Sequence, residues 1–260
     1  MKFYGLIFSW ILLLCACAEN TNTSMEEENE ASTESTEAVK EMQDNMLTEV
    51  EQEMGWQLLF DGTGMEGWKG YNMNEIPDNW KVEDGILKVM PTKEKPKDRD
   101  IITTDKYKDF ELELDFMLTD AANSGILYFV KEVEDTPIWH SAPEYQLIDD
   151  ENYLATASED ETRNHLSGEN YDLQSAPGRY LKGTGVWNTA RIVVKDKKVE
   201  HYLNGQKTIE YDLGSEAWKA LVANSKFKDY EDYGSAEEGH IGLQYHDDEV
   251  YFKNIKIRRL

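Results

Sequence analysis

Residues 110–118 of the chain read FELELDFML. Every second side chain is apolar, and three acids and a methionine stand between them. Successive side chains of a β-strand point to opposite faces of a sheet, so this alternation predicts a long strand with one face toward a hydrophobic core. The acids Glu111, Glu113 and Asp115 are expected on its polar face.

The same alternation recurs through residues 56–260, with turn signals between the runs. Asn204-Gly205 is a strong hairpin signal, and residues 239–246 and 250–258 are expected to form a last hairpin. Shorter strands are predicted at 57–60, 80–83, 85–90, 101–103, 124–130 and 144–148.

One helix is predicted at residues 215–226, with Ser215 as its N-cap and Trp218 on its apolar face. About a dozen strands without a strand-helix-strand rhythm indicate an all-β fold. The sequence therefore predicts a two-sheet sandwich or jelly roll with one short helix.

Charge divides the chain into two parts. The 260 residues include 52 acidic and 27 basic side chains, a net charge of −25, which excludes a nucleic-acid-binding class because such proteins need a basic surface. Residues 18–55 hold twelve acidic side chains against one lysine and no aromatic residue, so they are predicted to form a disordered tether. Residues 56–260 are predicted to be the folded domain.

Residues 1–17 contain one lysine, the apolar run LIFSWILLL and two cysteines. A run this short indicates a secretory signal rather than a spanning helix. The pattern Leu-x-Ala-Cys at Cys17 resembles the lipobox of bacterial lipoproteins, which implies lipidation of Cys17 and export to the cell envelope, anchored to a membrane. An ordinary cleaved signal peptide is the alternative. With Cys17 lipidated, the domain has no cysteine for a disulfide or a nucleophile.

Nine strings in this order resemble the bacterial family of 3-keto-disaccharide hydrolases. They span nearly all of the predicted domain: LFDGTGMEGW (59–68), WKVEDGIL (80–87), DFELELDF (109–116), NSGI (123–126), PEYQLIDD (143–150), NYDL (170–173), GVWNTARIVV (185–194), HYLNG (201–205) and GHIGLQYH (239–246).

The resemblance implies a concanavalin A-like jelly roll whose concave sheet faces a carbohydrate, and chemistry on glycosides oxidised at C3. A ketone at C3 acidifies the proton on C2, because the carbanion left behind is an enolate. A base removes that proton, the aglycone leaves C1, and water adds later to give net hydrolysis. Such a site needs a base, a group that stabilises the enolate oxygen, and an acid or polar group for the leaving oxygen.

Glu144 and Gln146 are expected on one face of the predicted strand 144–148, opposite Tyr145 and Leu147. Glu144 is the first candidate for the catalytic base, and Gln146 is a candidate for substrate binding. The alternative is that this face is an ordinary solvated strand face.

His165 and Asp149 belong to the acidic loop predicted after that strand. His165 is a second catalytic candidate. A carboxylate with a histidine suits Ca²⁺, Mg²⁺ or Zn²⁺, so Asp149 is a candidate ligand for a divalent metal. The spacing matches no strict metal motif, and no cofactor is assigned with certainty.

Gln244 and His246 are expected to share a face at the end of their strand. His246 is a candidate base or proton donor because imidazole titrates near neutral pH, and an ion pair with Asp247 or Asp248 is the alternative. His201 alternates with core positions and is expected to be a buried, hydrogen-bonded structural histidine.

The remaining candidates are side chains suited to sugars. Arg191 suits either an enolate or a structural carboxylate. Trp139 is expected to stack on a sugar, whereas most other tryptophans are expected to fill the core. The complete set assigned to substrate binding is Asn123, Gln146, Tyr171, Arg191, Gln244 and Trp139.

Two rival functions use the same kind of fold. A retaining β-glucanase carries the strand motif Glu-x-Asp-x-x-Glu or Glu-x-Asp-x-Glu, but here Met117 and Leu118 occupy the position of the last acid, so the two-carboxylate mechanism fails. A non-catalytic glycan-binding lipoprotein is the alternative that remains. Acidic loops flanking the expected groove favour a neutral oligosaccharide or glycoside as the partner over an anionic glycan.

Overall fold

The structure, a computed structural model, describes residues 43–93, 99–158 and 162–260. The described chain contains three short helices, α1 (Glu49–Glu53), α2 (Asp150–Thr156) and α3 (Glu216–Ala223), and a 3₁₀ turn at Ile138–His140. Its strands are β1 (Gln57–Leu58), β2 (Trp68–Gly70), β3 (Trp80–Glu83), β4 (Ile86–Val89), β5 (Ile101–Thr103), β6 (Phe110–Leu118), β7 (Asn123–Val130), β8 (Glu144–Ile148), β9 (Asn188–Lys195), β10 (Lys198–Leu203), β11 (Gln206–Asp212), β12 (His240–Leu243) and β13 (Val250–Arg259).

The strands form two antiparallel sheets. The larger sheet has the order β11-β10-β9-β6-β13-β4-β3, with β1 paired to β13, and the smaller has the order β2-β5-β12-β7-β8. Strand β6 lies within the larger sheet, where Leu112 is opposite Ile192 of β9 and Phe116 is opposite Phe252 of β13. The predicted two-sheet sandwich is confirmed.

The core lies between the sheets. The alternate side chains of β6 that were predicted to face inward are at most 1% exposed. From the smaller sheet Ile126, Tyr145 and Leu147 join the same cluster. Trp68 and Trp80 are buried and donate their indole N–H groups to the carbonyls of Leu59 and Arg99, each at 2.6 Å. They fill the core, as predicted.

The helices correct the prediction of a single helix. Ser215 caps α3 as predicted, its Oγ accepting from the Trp218 N–H at 3.1 Å. The helix ends at Ala223, earlier than expected, because Asn224 leaves helical geometry. Helix α2 lies in the acidic segment predicted to be a loop. None of the described helices has the length and apolar composition needed to cross a bilayer.

Residues 43–55, which were predicted to belong to a disordered tether, contact the folded domain. Asn45 is only 7% exposed, its N–H donates to Asn254 Oδ1 at 2.6 Å, and the Asn254 N–H donates to Asn45 Oδ1 at 2.8 Å. The Asn45 amide also donates to the Gly85 carbonyl at 2.8 Å. Residues 43–55 therefore attach to the larger sheet through polar contacts. The low hydrophobicity of this segment gives no sign of such contacts. Residues 1–42, with Cys17 and the rest of the predicted tether, lie outside the described residues, so the tether and the lipidation stay predictions.

We predict that Asn45→Ala lowers the free energy of unfolding by about 1–3 kcal/mol, because it leaves buried backbone groups without partners. Asn45 has a φ of 58°. This left-handed conformation is unfavourable for alanine but not for glycine, so Asn45→Ala has a conformational cost that Asn45→Gly does not have. Urea denaturation measures both variants. The exposed Val50→Ala is the control, and an Asn45→Ala midpoint equal to that of Val50→Ala would contradict the prediction.

Candidate active site

Strand β8 carries the first candidate residues. All of its residues are buried, with Tyr145 and Leu147 in the cluster between the sheets. Glu144 and Gln146 therefore lie on the opposite face of the smaller sheet, as predicted. This face is not solvated, however, since Glu144 is 3% exposed and Gln146 is 2% exposed.

A glycine makes room for Glu144. Gly125 of β7 is opposite Gln146 in the register and lies under the Glu144 side chain. A Cβ atom on Gly125 would lie 2.8 Å from Cδ and 2.9 Å from Cγ of Glu144, too close for carbon atoms. The absence of a side chain at Gly125 thus leaves the space that the Glu144 side chain occupies.

Tyr171 lies beside Glu144 across the edge of the sheet. The Tyr171 N–H donates to the Glu144 carbonyl at 3.1 Å, and the Gln146 N–H donates to the Glu169 carbonyl at 3.1 Å. Tyr145 and Asn170 form an antiparallel bridge between these bonds. This register places Tyr171 on the same face as Glu144.

Burial decides the protonation of both groups. It raises the pKa of Glu144 to about 8, with Lys226 lowering it and Asp100 raising it further. Burial also raises the pKa of Tyr171 to about 12, and the charges of Glu144 and Asp172 add to the effect. Near neutral pH the site holds a carboxyl that exchanges its proton readily and a phenol that keeps its own.

His165 supports Tyr171 from the side. Their ring centroids are 4.6 Å apart at 32°. His165 Nε2 lies 3.2 Å from Asp172 Oδ1, and Nδ1 lies 3.4 Å from the Tyr153 hydroxyl. The structure thus brings this catalytic candidate to the site with both ring nitrogens beside polar partners.

Two amides extend the polar face from Glu144. Gln146 Nε2 donates to Asn123 Oδ1 at 3.1 Å, and the Asn123 N–H donates to Asp248 Oδ2 at 3.0 Å. The Gln146 Oε1 atom is buried and has no hydrogen-bond partner among the described residues. A substrate hydroxyl that donates to this oxygen would remove an unfavourable buried acceptor.

An open cleft of about 360 Å³ adjoins this face, lined by Asp100, Asp135, Pro137, Trp139, Gln244, Tyr245 and His246. Gln244 connects the cleft to the base of the site, because its N–H donates to the Gly125 carbonyl at 2.9 Å. The His246 side chain is 57% exposed, and its Nδ1 lies 4.0 Å from Asp248 Oδ2. The predicted candidates Trp139, Gln244 and His246 thus line one wall together.

Arg191 does not join the site. It lies on β9 in the larger sheet, where its Nε donates to Glu111 Oε1 and its guanidinium lies 4.7 Å from the Tyr202 ring centroid. Arg258 contacts the same carboxylate. The assignment of Arg191 to substrate binding is wrong for this site, and its alternative role, holding a structural carboxylate, is the one observed.

Asp149 has a structural use instead of the predicted metal-binding one. Its Oδ1 accepts from the Asn152 N–H at 3.2 Å and caps α2, and its Oδ2 accepts from the Ala121 N–H at 2.9 Å. Each carboxylate oxygen of Asp149 thus accepts a hydrogen bond from a backbone N–H group. The described ranges contain no group of three His, Cys, Asp or Glu side chains placed to hold a metal.

His201 is buried, as predicted for a structural histidine. It shares a hydrogen bond of 2.8 Å with the Tyr128 hydroxyl, and burial lowers its pKa to about 3. It therefore stays neutral in the core and takes no part in proton transfer at the site.

The site also contains charged groups that the sequence patterns missed. Lys226 lies over Tyr171, with Nζ 4.0 Å from the ring centroid, and the Lys226 N–H donates to Asp172 Oδ2 at 2.8 Å. Asp100 accepts from the Tyr245 N–H at 2.7 Å. The only usable sequence signal was the NYDL string, which places Asp172 next to Tyr171.

Comparison with known proteins gives a family match over residues 55–258, described as a 3-keto-alpha-glucoside-1,2-lyase-like domain. A curated protein of Bacteroides thetaiotaomicron named 3-keto-disaccharide hydrolase is 31% identical, over 96% of this chain and 94% of its own. A crystal structure of a proposed glycosyl hydrolase from Parabacteroides distasonis is 36% identical with a TM-score of 0.78, covering 84% of this chain and 100% of that one. A second such structure from that organism is 27% identical with a TM-score of 0.61, covering 79% and 99%.

We predict that Glu144→Gln changes how stability depends on pH. The ordinary pKa of the carboxyl is 4.5 and burial raises it to about 8, so between these values the folded protein holds a proton that the unfolded chain has lost. Raising the pH through this window therefore favours unfolding of the wild type. The free energy of unfolding should fall with pH more steeply in the wild type than in Glu144→Gln.

Urea denaturation at several pH values measures this difference. Glu151→Gln on α2, where the glutamate is exposed, is the matched control and should keep the wild-type slope. Parallel pH profiles for wild type and Glu144→Gln would mean that Glu144 titrates normally in the folded protein.

Proposed function

The chain belongs to the family of 3-keto-alpha-glucoside-1,2-lyase-like domains, and on that premise we propose that it cleaves 3-keto-glycosides by removing the C2 proton and eliminating the aglycone. The curated relative named 3-keto-disaccharide hydrolase supports a glycoside whose C3 is a ketone. The lyase and hydrolase names describe one route, because addition of water to the eliminated product completes a net hydrolysis.

The buried carboxyl of Glu144 carries the proposal. A C2 proton next to a ketone needs a base of moderate strength held out of water, and the Glu144 pKa of about 8 provides one. As the C2–H bond breaks, the proton goes to the carboxylate and the electron pair forms the enolate. The sheet holds Glu144 over Gly125, so the base is positioned before the substrate arrives.

Tyr171 is the group we assign to the leaving oxygen. Its phenol carries a proton near neutral pH, well below its pKa, which burial raises to about 12. It lies beside Glu144 on the same face of the sheet, so a glycosidic oxygen above this face contacts both. His165 packs against the Tyr171 ring and is itself paired with Asp172, which makes His165 a positioning residue in this assignment.

The amides and the cleft supply recognition of a neutral sugar. Gln146, Asn123 and Gln244 offer donors and acceptors to hydroxyls, and Trp139 offers an aromatic face beside the cleft. Asp100 and Asp135 line the same cleft and would repel a carboxylate or sulfate on the substrate. A neutral disaccharide or glycoside suits this surface.

We predict that the purified protein releases a chromogenic aglycone from a 3-keto-glucoside and leaves the matching glucoside, without a ketone, intact. Glu144→Gln should lower kcat/KM by roughly 10²–10⁴-fold, the usual effect of losing a general base. The wild-type kcat/KM should rise as pH passes through about 8, because the base acts in its ionised form. Glu151→Gln should keep wild-type kinetics.

Deuterium at C2 should slow release in single-turnover measurements, which remove the contribution of product release. Sugar binding without release, in buffer alone and with divalent metals added, would instead indicate a binding protein. Full activity in Glu144→Gln would remove Glu144 as the base.

We also predict that Gly125→Ala lowers kcat by roughly 100-fold, because the new methyl group displaces the Glu144 carboxyl by part of an ångström or more. The collision involves Cγ and Cδ of a buried side chain, so the free energy of unfolding measured in urea should fall by about 1–3 kcal/mol while the protein stays folded. Gly178→Ala, at an exposed loop position, is the matched control. Unchanged kcat in Gly125→Ala would show that the position of Glu144 over this glycine does not matter for turnover.

A further inference from the structure

Lys226 lies in the turn after α3, where two contacts fix it. Its backbone N–H donates to Asp172 Oδ2 at 2.8 Å, and the neighbouring Phe227 side chain is 1% exposed in the core. The backbone at Lys226 is therefore anchored to the site and to the core at once.

The Lys226 ammonium lies among aromatic rings. Nζ is 4.0 Å from the ring centroid of Tyr171, 5.2 Å from that of Phe227 and 5.5 Å from that of Trp139. These distances are within the range of cation–π attraction, which favours the charged amine. Lys226 itself is exposed at the edge of these rings, so its ammonium is accessible to a ligand.

Charged and titratable groups face this cation and Glu144 from several segments. Burial lowers the pKa of Lys226, and Glu144, Asp172 and Tyr230 oppose that change. Lys226 and Asp100 act on Glu144 in opposite directions, while Glu144 in turn raises the pKa of Tyr171 and Tyr233.

Lys226 forms no ion pair with any residue that the structure describes, whereas most lysines of the larger sheet do. Lys256 binds Glu51 and Glu113, and Lys207 binds Glu200 and Glu210. Within the described ranges no carboxylate oxygen lies within 4.0 Å of Lys226 Nζ. Its charge is thus held close to Glu144 by aromatic rings and remains available to a ligand.

We propose that the Lys226 ammonium stabilises the enolate oxygen that forms at C3 of a 3-keto-glycoside, which makes Lys226 a catalytic residue of this site. The inference rests on the proposed function, which supplies the ketone. Glu144 is the candidate for the base, and Tyr171 is the candidate for the proton donor. Arg191 was the candidate for stabilising the enolate oxygen, but it lies on the larger sheet, so that role has no other assigned residue.

The charge changes during the reaction suit a fixed cation. When the C2–H bond breaks, Glu144 becomes neutral and the electron pair forms a C2=C3 double bond, leaving the negative charge on the C3 oxygen. When the C1–O bond breaks, the C3 carbonyl re-forms, a C1=C2 double bond appears, and the leaving oxygen takes a proton from Tyr171. The proton on Glu144 returns to Tyr171 through water. Lys226 faces a negative charge throughout the first step, first on Glu144 and then on the substrate.

The test compares Lys226→Met, Lys226→Arg and Lys228→Met in the otherwise intact protein, with the chromogenic 3-keto-glucoside as substrate. Lys228 is exposed two positions further on, so Lys228→Met removes the same charge outside the site. We expect Lys226→Met to lower kcat by at least about 100-fold, the usual effect of losing one oxyanion-stabilising group. Lys226→Arg should recover a substantial part of kcat, and Lys228→Met should behave as wild type.

The pH profile separates this role from a structural one. Loss of the cation raises the pKa of Glu144, so the rise of kcat/KM with pH should move to higher pH in Lys226→Met and stay in place in Lys226→Arg. Equal kcat and pH profiles for Lys226→Met and Lys228→Met, in protein that turns over, would overturn the assignment. Trapping of a substrate adduct on Lys226 by borohydride would overturn it in favour of a covalent imine. Absence of turnover in the wild type would instead remove the proposed function itself.

Discussion

Burial of β8 on both faces is the constraint on which the site depends. Tyr145 and Leu147 fix one face in the core between the sheets, and on the other face Glu144 lies beside Tyr171 with only 3% of its surface exposed. An ionised carboxylate in such a place is unfavourable, and the protein responds by raising the Glu144 pKa to about 8. The reactivity proposed for Glu144 is thus a consequence of how the strand packs.

The acids on the outer face of the larger sheet and those at the site have different partners. On the outer face of the larger sheet they are neutralised by direct contacts, as Glu111 is by Arg191 and Arg258. At the site, Glu144 and Asp172 act on one lysine that is held by aromatic rings. A negative charge that moves from Glu144 to a substrate oxygen stays near that lysine, so proton transfer does not separate charge over a long distance.

Period-two alternation was enough to predict the sandwich, since β6, β8 and several shorter strands lie where it predicted them. It also assigned Glu144 and Gln146 to one face, but only the resemblance to a family suggested which face would bind a sugar. Lys226 was missed because α3 was predicted to run through it, and no local pattern shows that the chain turns back over Tyr171. Asn45 was missed for a related reason, because its partners Gly85 and Asn254 are distant in the sequence.

The carboxylates of strand β6, FELELDFML, are not placed for the chemistry of a retaining glucanase. Such an enzyme needs its strand carboxylates free to attack the sugar and to transfer protons. Here Asp115 accepts from the Thr189 hydroxyl at 2.6 Å and the Asn254 amide at 2.8 Å, and Glu113 pairs with Lys256 at 2.9 Å.

These carboxylates therefore hold strands and the N-terminal segment together, and Glu144, a buried acid with a raised pKa, lies on the other sheet. The polar face of the larger sheet contributes to stability, and the polar face of the smaller sheet is the one left for the proposed reaction. The placement of Glu144, Tyr171 and Lys226 on that second face follows from strand pairing and loop packing, so function here is set by the site and not by the fold class.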